Sequence, residues 1–326
     1  MKSNLILVTG CAGFIGFHLS DYLINKNFYK VIGIDNLNDY YDINLKKSRL
    51  KILLKYKNFH FFKIDITNKN RLSNLFRKYK FKYVINLAAQ AGVRFSLKNR
   101  DQYFNANLLG FYNLIELSKK YSVSHFLFAS SSSVYGDSKK KIFEETDITD
   151  RPLSFYAATK KANEILAFPY SSIYKMKITG MRFFTVYGPY GRPDMAPFKF
   201  VEKLINGKKI ELYNNGNHFR DFTFVEDVVK SIFKIMKKPS KNKNIPFEIV
   251  NIGKGRPQHL LKFLNVITNL LKIKKPIFIN RKIQTGDMKS TYASTKKLKS
   301  IYNFEPKINI KEGMNKFISW YRIFIK

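Results

Sequence analysis

The chain is 326 residues long, 45% hydrophobic and 25% charged, which supplies a sizeable core and excludes wholesale disorder. Its formal net charge is +36, yet lysine is scattered through almost every segment, so the charge reads as a generally basic surface and not as a nucleic-acid footprint. Cys11 is the single cysteine and the five histidines show no ligand spacing, so neither a disulfide nor a metal site is expected. Asn4 to Thr9 reads as a strand buried on both faces. Gly10, Gly13 and Gly16 follow in G-x-x-G-x-x-G spacing, and Phe14 to Asn25 is an amphipathic helix with Ile15, Leu19 and Leu23 on one face. A strand feeding a helix through such a turn lets backbone approach a pyrophosphate, which the helix N-terminus then attracts. Val31 to Asp35 is a second buried strand ending in an acid about 20 residues past the turn, where a carboxylate binds an adenosine ribose. That negative charge favours NAD over NADP.

Asn36 to Asp42 is a polar, aromatic loop, and Asp42 to Lys55 a basic helix. His60 to Asp65 is a third strand, again ending in an acid, and Asp65 can reach an adenine amino group. A helix over Asn70 to Lys80 precedes a fourth strand, Tyr83 to Ala89. Gln90 to Ser96 is then a loop at that strand's C-terminal end, where open α/β sheets bind ligands. Gln102 to Lys119 reads as one long helix carrying Asn107. His125 to Ala129 is the fifth strand and runs into the serine cluster Ser130 to Ser133. A helix over Ser154 to Tyr174 and a strand over Lys177 to Phe184 complete a steady βα alternation. Candidate cofactor contacts along these strand ends are Gly10, Gly13, Phe14, Ile15, Gly16, Asp35, Asn36, Asp65, Ile66, Leu87, Ala88, Ala89, Asn107 and Phe183. The remainder is less regular. A loop spans Thr185 to Pro197, helices are expected over 197–206, 258–271 and 311–324, and strands over 210–213 and 247–252. Phe222 to Lys237 mixes strand and helix. The fold expected is a doubly wound α/β Rossmann domain, residues 1–184, followed by a smaller mixed α/β substrate lobe, residues 185–326, with some segments returning to the first. No apolar run is long enough to span a bilayer and the first strand starts almost at once, so a cytoplasmic protein without a membrane partner is expected.

Tyr156 and Lys160 form Y-x-x-x-K on a helix, and a spacing of four places both side chains on one face. An ammonium beside a phenol favours the phenolate, which can take a proton from an alcohol while a nicotinamide takes the hydride. By itself such a pair reads equally well as surface decoration. Its place after the fifth strand, downstream of a dinucleotide turn and a serine cluster, favours chemistry.

These motifs together resemble the extended short-chain dehydrogenase/reductase family. More narrowly, the chain is similar to the UDP-glucuronate 4-epimerases in Gly33–Asp42, Ala88–Arg94, Ser130–Gly136, Arg182–Pro189 and Gly191–Pro197. The resemblance implies that Tyr156 deprotonates the sugar 4-hydroxyl, that Ser131 orients it, and that Lys160 holds the tyrosine ionised. It implies tightly bound NAD, a UDP-sugar substrate and a homodimer formed through residues 102–119 and 154–174. It also implies that Arg192 faces the sugar carboxylate, with neutral hydrogen bonds from Thr185, Ser132 and Ser133. Arg220 and Arg281 match diphosphate-binding positions, Lys199 and Tyr213 are candidates for the uridine region, and Gln90 and Arg94 complete the candidate substrate contacts. Related dehydratases carry Asp-Glu where this chain has Ser132 and Ser133, and UDP-galactose 4-epimerases typically carry Asn at Thr185. The serines favour epimerisation over loss of water or CO₂, and Thr185 leaves room beside Arg192 for a carboxylate; a 4-epimerase of another UDP-hexose, UDP-glucose/galactose or an N-acetylated uronate, is the alternative within the family. An NAD-binding regulatory protein is the alternative from another class.

Overall fold

The computed structural model describes residues 4–283, 286 and 288–325. Strands and helices alternate as β1 (Leu5–Thr9), α1 (Phe14–Ile24), β2 (Lys30–Asp35), α2 (Ile43–Leu53), β3 (Phe59–Lys63), α3 (Lys69–Lys78) and β4 (Tyr83–Asn86). There follow α4 (Arg100–Tyr103), α5 (Gly110–Lys120), β5 (His125–Ser131), α6 (Phe155–Tyr174) and β6 (Ile178–Phe183). The remainder forms β7 (Thr185–Tyr187), α7 (Ala196–Ile205), β8 (Ile210–Tyr213), β9 (Phe219–Arg220), β10 (Phe222–Phe224), α8 (Val225–Lys237) and β11 (Phe247–Ile252). β12 (Gln258–His259), α9 (Leu260–Leu271), β13 (Phe278–Arg281), α10 (Lys296–Tyr302) and α11 (Ile310–Phe324) close the chain.

Seven parallel strands make the main sheet in the order β3-β2-β1-β4-β5-β6-β11. Both its faces are covered, and β1 shows how. Ile6 and Val8 pack into one apolar cluster with α1 and α8, while Leu5 and Leu7 pack into another with α3 and α5. This alternation is why the strands read as unbroken apolar runs. The strand order reverses between β1 and β4, so the loops leaving their C-terminal ends diverge and open a crevice. A third cluster, from α7, β8, β10, α9 and α11, forms the core of the smaller lobe. The edge strand β11 comes from well beyond residue 184 and pairs with β6, Ile252 opposite Phe183.

Two expectations need correction. The helix over Gln102 to Lys119 runs unbroken from Arg100 to Lys120 but is not α-helical throughout, because Phe104–Leu109 is a π-helical turn between α4 and α5. The wider turn lets Asn107 point inward, where its amide pairs with both backbone groups of Gln90 and with Thr159 Oγ1. The loop over Thr185 to Pro197 begins with β7, which pairs in parallel with β10, Thr185 opposite Phe222.

A buried ion pair ties β5, β6 and α6 together. Arg182 on β6 donates to Glu164 on α6 from Nε (2.9 Å) and Nη2 (2.8 Å), and Ser130 Oγ at the end of β5 donates to the same carboxylate at 2.6 Å. Removing one member leaves the other as an uncompensated buried charge. Glu164→Gln should therefore lower unfolding stability by about 3–5 kcal/mol, read from urea denaturation followed by the fluorescence of Trp320. Lys296→Met, which breaks an exposed pair with Glu144, should change it by less than about 1 kcal/mol.

Candidate functional site

The crevice at the strand reversal continues into the smaller lobe as one cavity of about 980 Å³. Its floor is the glycine turn. Gly10 has φ +68°, and a Cβ there would lie 2.8 Å from the backbone nitrogen of Ala88. A Cβ on Gly16 would lie 2.1 Å from the Gly10 carbonyl oxygen, so β1, α1 and β4 approach as closely as bare backbone permits. Helix α1 starts at Gly13 with no side-chain cap and no acid in its first turn, which leaves its N-terminal N–H groups to an anion.

Asp35 ends β2 and accepts from Ala12 N (3.1 Å) and Leu37 N (2.8 Å). Burial raises its pKa, opposed by those N–H groups and by the positive charges of Lys46 and Arg49. Asp65 receives Asn36 Nδ2 and both polar groups of Thr67, and although burial opposes its charge these bonds hold its pKa below the ordinary value. Ile66, Leu87, Ala88, Ala89 and Phe183 continue the same wall, with Ala88 N held by Thr9 Oγ1 at 3.0 Å. Asn107 lies behind this wall and serves Gln90, as described above. The Nε2 of Gln90 is buried and makes no hydrogen bond, although the residue lines the cavity. An uncapped helix start, a glycine cradle, an acid at the ribose position and an orphaned amide together fit a dinucleotide.

Ser131 and Tyr156 meet where this wall turns toward the second lobe. Ser131 Oγ donates to Ser133 Oγ at 3.2 Å and lies near enough to the Tyr156 hydroxyl to lower its pKa. Lys160, one turn along α6, donates to the Ala129 carbonyl at 2.9 Å, and its ammonium lies 5.9 Å from the centre of the Tyr156 ring. The expected lowering of the Tyr156 pKa is corrected here. Burial pushes the phenol above its ordinary value, and the nearby Ser131 hydroxyl and the Arg192 charge only partly offset it. Lys160 is itself pushed down to about 8 by burial, with its ammonium directed at a carbonyl and not at the phenol oxygen.

Ser132, Ser133, Thr185 and Arg192 line the same cavity, as do Arg94, Lys199, Tyr213 and Arg220. Arg94 stacks over the Tyr213 ring at 4.9 Å. Arg220 Nη1 donates to the carbonyls of Phe219 and Lys289. Arg281 stands apart. It is half-exposed, pairs with Glu211 at 3.1 Å, and does not line the cavity. Three residues absent from the sequence-based set line this cavity, Tyr40, Lys46 and Asp194, and a fourth, Arg49, lies behind its lining. Arg49 is fully buried and donates to Ala12 O, Tyr41 Oη and Tyr190 O, each at 2.7 Å, and Lys46 donates to Asn38. Tyr40 and Asp194 meet Arg192. The polar loop 36–42 signalled the tyrosine, but an arginine buried within a basic helix leaves no trace in sequence.

Comparisons with known proteins agree with this geometry. The family described as NAD dependent epimerase/dehydratase matches residues 6–253. Protein CapI of Staphylococcus aureus is 44% identical, covering 98% of this chain and 99% of its own. A UDP-glucuronate 4-epimerase of Thermodesulfobacterium geofontis is 40% identical, covering 96% of this chain and 95% of its own. The crystal structure of UDP-glucuronic acid 4-epimerase from Bacillus cereus, in complex with UDP-glucuronic acid and NAD, superposes with a TM-score of 0.91 at 30% identity, covering 98% of this chain and 99% of the other. With the glycine turn, Asp35 and the Ser131–Tyr156–Lys160 group all brought to one cavity, the chain belongs to the NAD-dependent epimerase/dehydratase family, as an enzyme of its nucleotide-sugar epimerase branch.

Proposed function

We propose that the chain is a UDP-glucuronate 4-epimerase, interconverting UDP-glucuronate and UDP-galacturonate. The observation that carries this reading is that a guanidinium, Arg192, lines the same cavity as the hydroxyls of Ser132, Ser133 and Thr185. A planar cation beside small neutral donors suits a carboxylate, and planar bidentate contacts are the strong ones. Where relatives that expel water carry an acid and a base, serines stand here.

Bound NAD supplies the hydride acceptor and donor. Tyr156 takes the proton from the sugar 4-hydroxyl and returns it, with Ser131 near the phenol oxygen. Lys160, its ammonium 5.9 Å from the ring centre, adds its charge to that of the bound nicotinamide to favour the phenolate against the burial that raises its pKa. The 4-keto form of a uronic acid is a β-keto acid, and it loses CO₂ only when the C5–carboxylate bond aligns with the carbonyl π system. Arg192 grips that carboxylate and holds the bond out of alignment, so binding energy goes into positioning. The intact Ser131, Tyr156 and Lys160 argue against a regulatory protein with a decayed site. The enzyme works as a homodimer, its contact formed by the exposed apolar side chains Leu109 and Tyr112 near α5 and Ile165, Leu166 and Phe168 on α6.

Incubation with UDP-glucuronate should yield UDP-galacturonate on chromatographic separation, and absence of conversion would sink the reading. Arg192→Ala should cost about ten- to a hundredfold in UDP-glucuronate turnover, from loss of a bidentate charge-assisted contact, and leave UDP-glucose little affected. Equal losses on both sugars would make Arg192 a diphosphate or structural residue.

The pH dependence follows from the opposite shifts of the two catalytic groups. The phenolate form of Tyr156 grows as pH rises, whereas Lys160 is charged below about 8 and loses its proton as pH passes that value. Activity, which needs the phenolate and the ammonium together, should rise up to about the Lys160 value, level off, and fall only above the Tyr156 value. Lys160→Met removes the nearby cation and should move the acid limb toward alkaline pH by about one to three units. An unmoved limb in the pH–rate profile would show that Lys160 does not tune Tyr156. Dimerisation is checked by sedimentation: Leu166→Glu should shift the protein to monomer, and an unchanged mass would place the interface elsewhere.

A further inference from the structure

The guanidinium assigned to the substrate carboxylate is already paired with an acid. Arg192 donates from Nε to Asp194 Oδ1 at 3.0 Å and from Nη2 to Oδ2 at 2.5 Å, a bidentate contact along its side edge. Tyr40 Oη donates to the same Oδ2 at 3.0 Å. Tyr40 is itself fixed. Its ring packs on Phe95 with centroids 4.9 Å apart, and a Cβ on Gly92 would lie 2.3 Å from its hydroxyl oxygen. Three loops, those after β2, β4 and β7, therefore converge on one carboxylate.

A guanidinium has five N–H donors, and the contact with Asp194 occupies one on Nε and one on Nη2. The end edge, with both hydrogens of Nη1 and the second of Nη2, is left to face a second carboxylate. We propose that Asp194, seated by Tyr40, is the positioning residue that aims this end edge of Arg192 at the sugar carboxylate and so sets the preference for a uronic acid over a neutral hexose. The inference rests on the reading of Arg192 as the carboxylate handle. The opposite arrangement, with Asp194 as an internal stand-in that the substrate displaces, conflicts with the geometry. Asp194 is two residues from Arg192 on the same loop and is held by a second donor, so an arriving substrate would have to strip a partly buried carboxylate of its strongest partner. Aiming and displacement predict opposite signs for removal of the charge.

The test uses NAD-loaded protein in a Tyr156→Phe background, where substrate is bound but not turned over, and reads dissociation constants for UDP-glucuronate and UDP-glucose by calorimetry. Asp194→Asn should weaken UDP-glucuronate by about ten- to a hundredfold, the scale of a bidentate charge-assisted contact, and leave UDP-glucose within about twofold. Tyr40→Phe should weaken UDP-glucuronate alone by about two- to tenfold, as one neutral hydrogen bond is removed. Asp194→Glu, which keeps the charge, should recover part of the loss. Unchanged or tighter UDP-glucuronate binding in Asp194→Asn overturns the proposal, as does an equal loss on both sugars. Arg192→Ala in the same background separates the two ideas. If it weakens UDP-glucuronate selectively while Asp194→Asn does not, the aiming role falls and the handle stands. If it spares that selectivity, the handle itself falls.

Discussion

The chemistry depends on holding two elements in fixed register. Ser131 is the last residue of β5, while Tyr156 and Lys160 lie in the first turns of α6. The hydroxyl pair forms only if that strand end and that helix keep their spacing. Three contacts do this within a few residues of the reacting groups: the Arg182–Glu164 pair, the Ser130 hydroxyl on the same carboxylate, and the Lys160 ammonium on the Ala129 carbonyl. All of them cross from α6 to β5 or β6. A buried ion pair adds little net stability over an apolar packing of the same shape, because desolvation offsets the attraction. Its two-pronged geometry nevertheless tolerates little sliding, and sliding is what the Ser131–Tyr156 contact cannot absorb.

The same dryness that keeps water from a keto sugar works against the base. Burial raises the pKa of Tyr156 and lowers that of Lys160, so the protein's own groups leave the phenol protonated and the amine less firmly charged. Arg192 lowers the Tyr156 pKa by its charge and lines the same cavity. Asp194 keeps that guanidinium charged although burial opposes the charge. If Arg192 holds the substrate carboxylate as proposed, that handle and the base are electrostatically coupled.

Sequence and structure agree best where backbone constraint is strongest. The glycine turn, Asp35, the strand alternation and Y-x-x-x-K each follow from period, spacing and steric need, and Ser131, Tyr156 and Arg192 lie on the one cavity as the motifs imply. What escaped was set by tertiary context. The π-helical turn at Phe104–Leu109 has no local signature, since an extra residue per turn is stabilised by the Asn107 contacts to Gln90 and Thr159. Three-residue strands such as β7 are too short for alternation to show. Arg49 lies among lysines in a helix that reads only as basic, yet it is fully buried and donates to Ala12, Tyr41 and Tyr190. Arg281, matched by position, pairs with Glu211 and is not part of the cavity lining.

Charge divides the molecule in a similar manner. The net +36 is spread over the chain and is a property of the surface at large. The cavity itself is lined by eight lysines and arginines and five acids, a small local excess of positive charge. Most of those acids are committed: Asp35 to backbone N–H groups, Asp65 to Asn36 and Thr67, Asp194 to Arg192 and Tyr40. A long-range basic field draws any anionic nucleotide toward the protein without regard to its sugar. Discrimination must then come from the short range, where a guanidinium already held along one edge offers the other to a planar anion and to little else. The loops that build this contact leave the ends of β2, β4 and β7, so substrate choice can change in them while the catalytic register of β5 and α6 stays fixed.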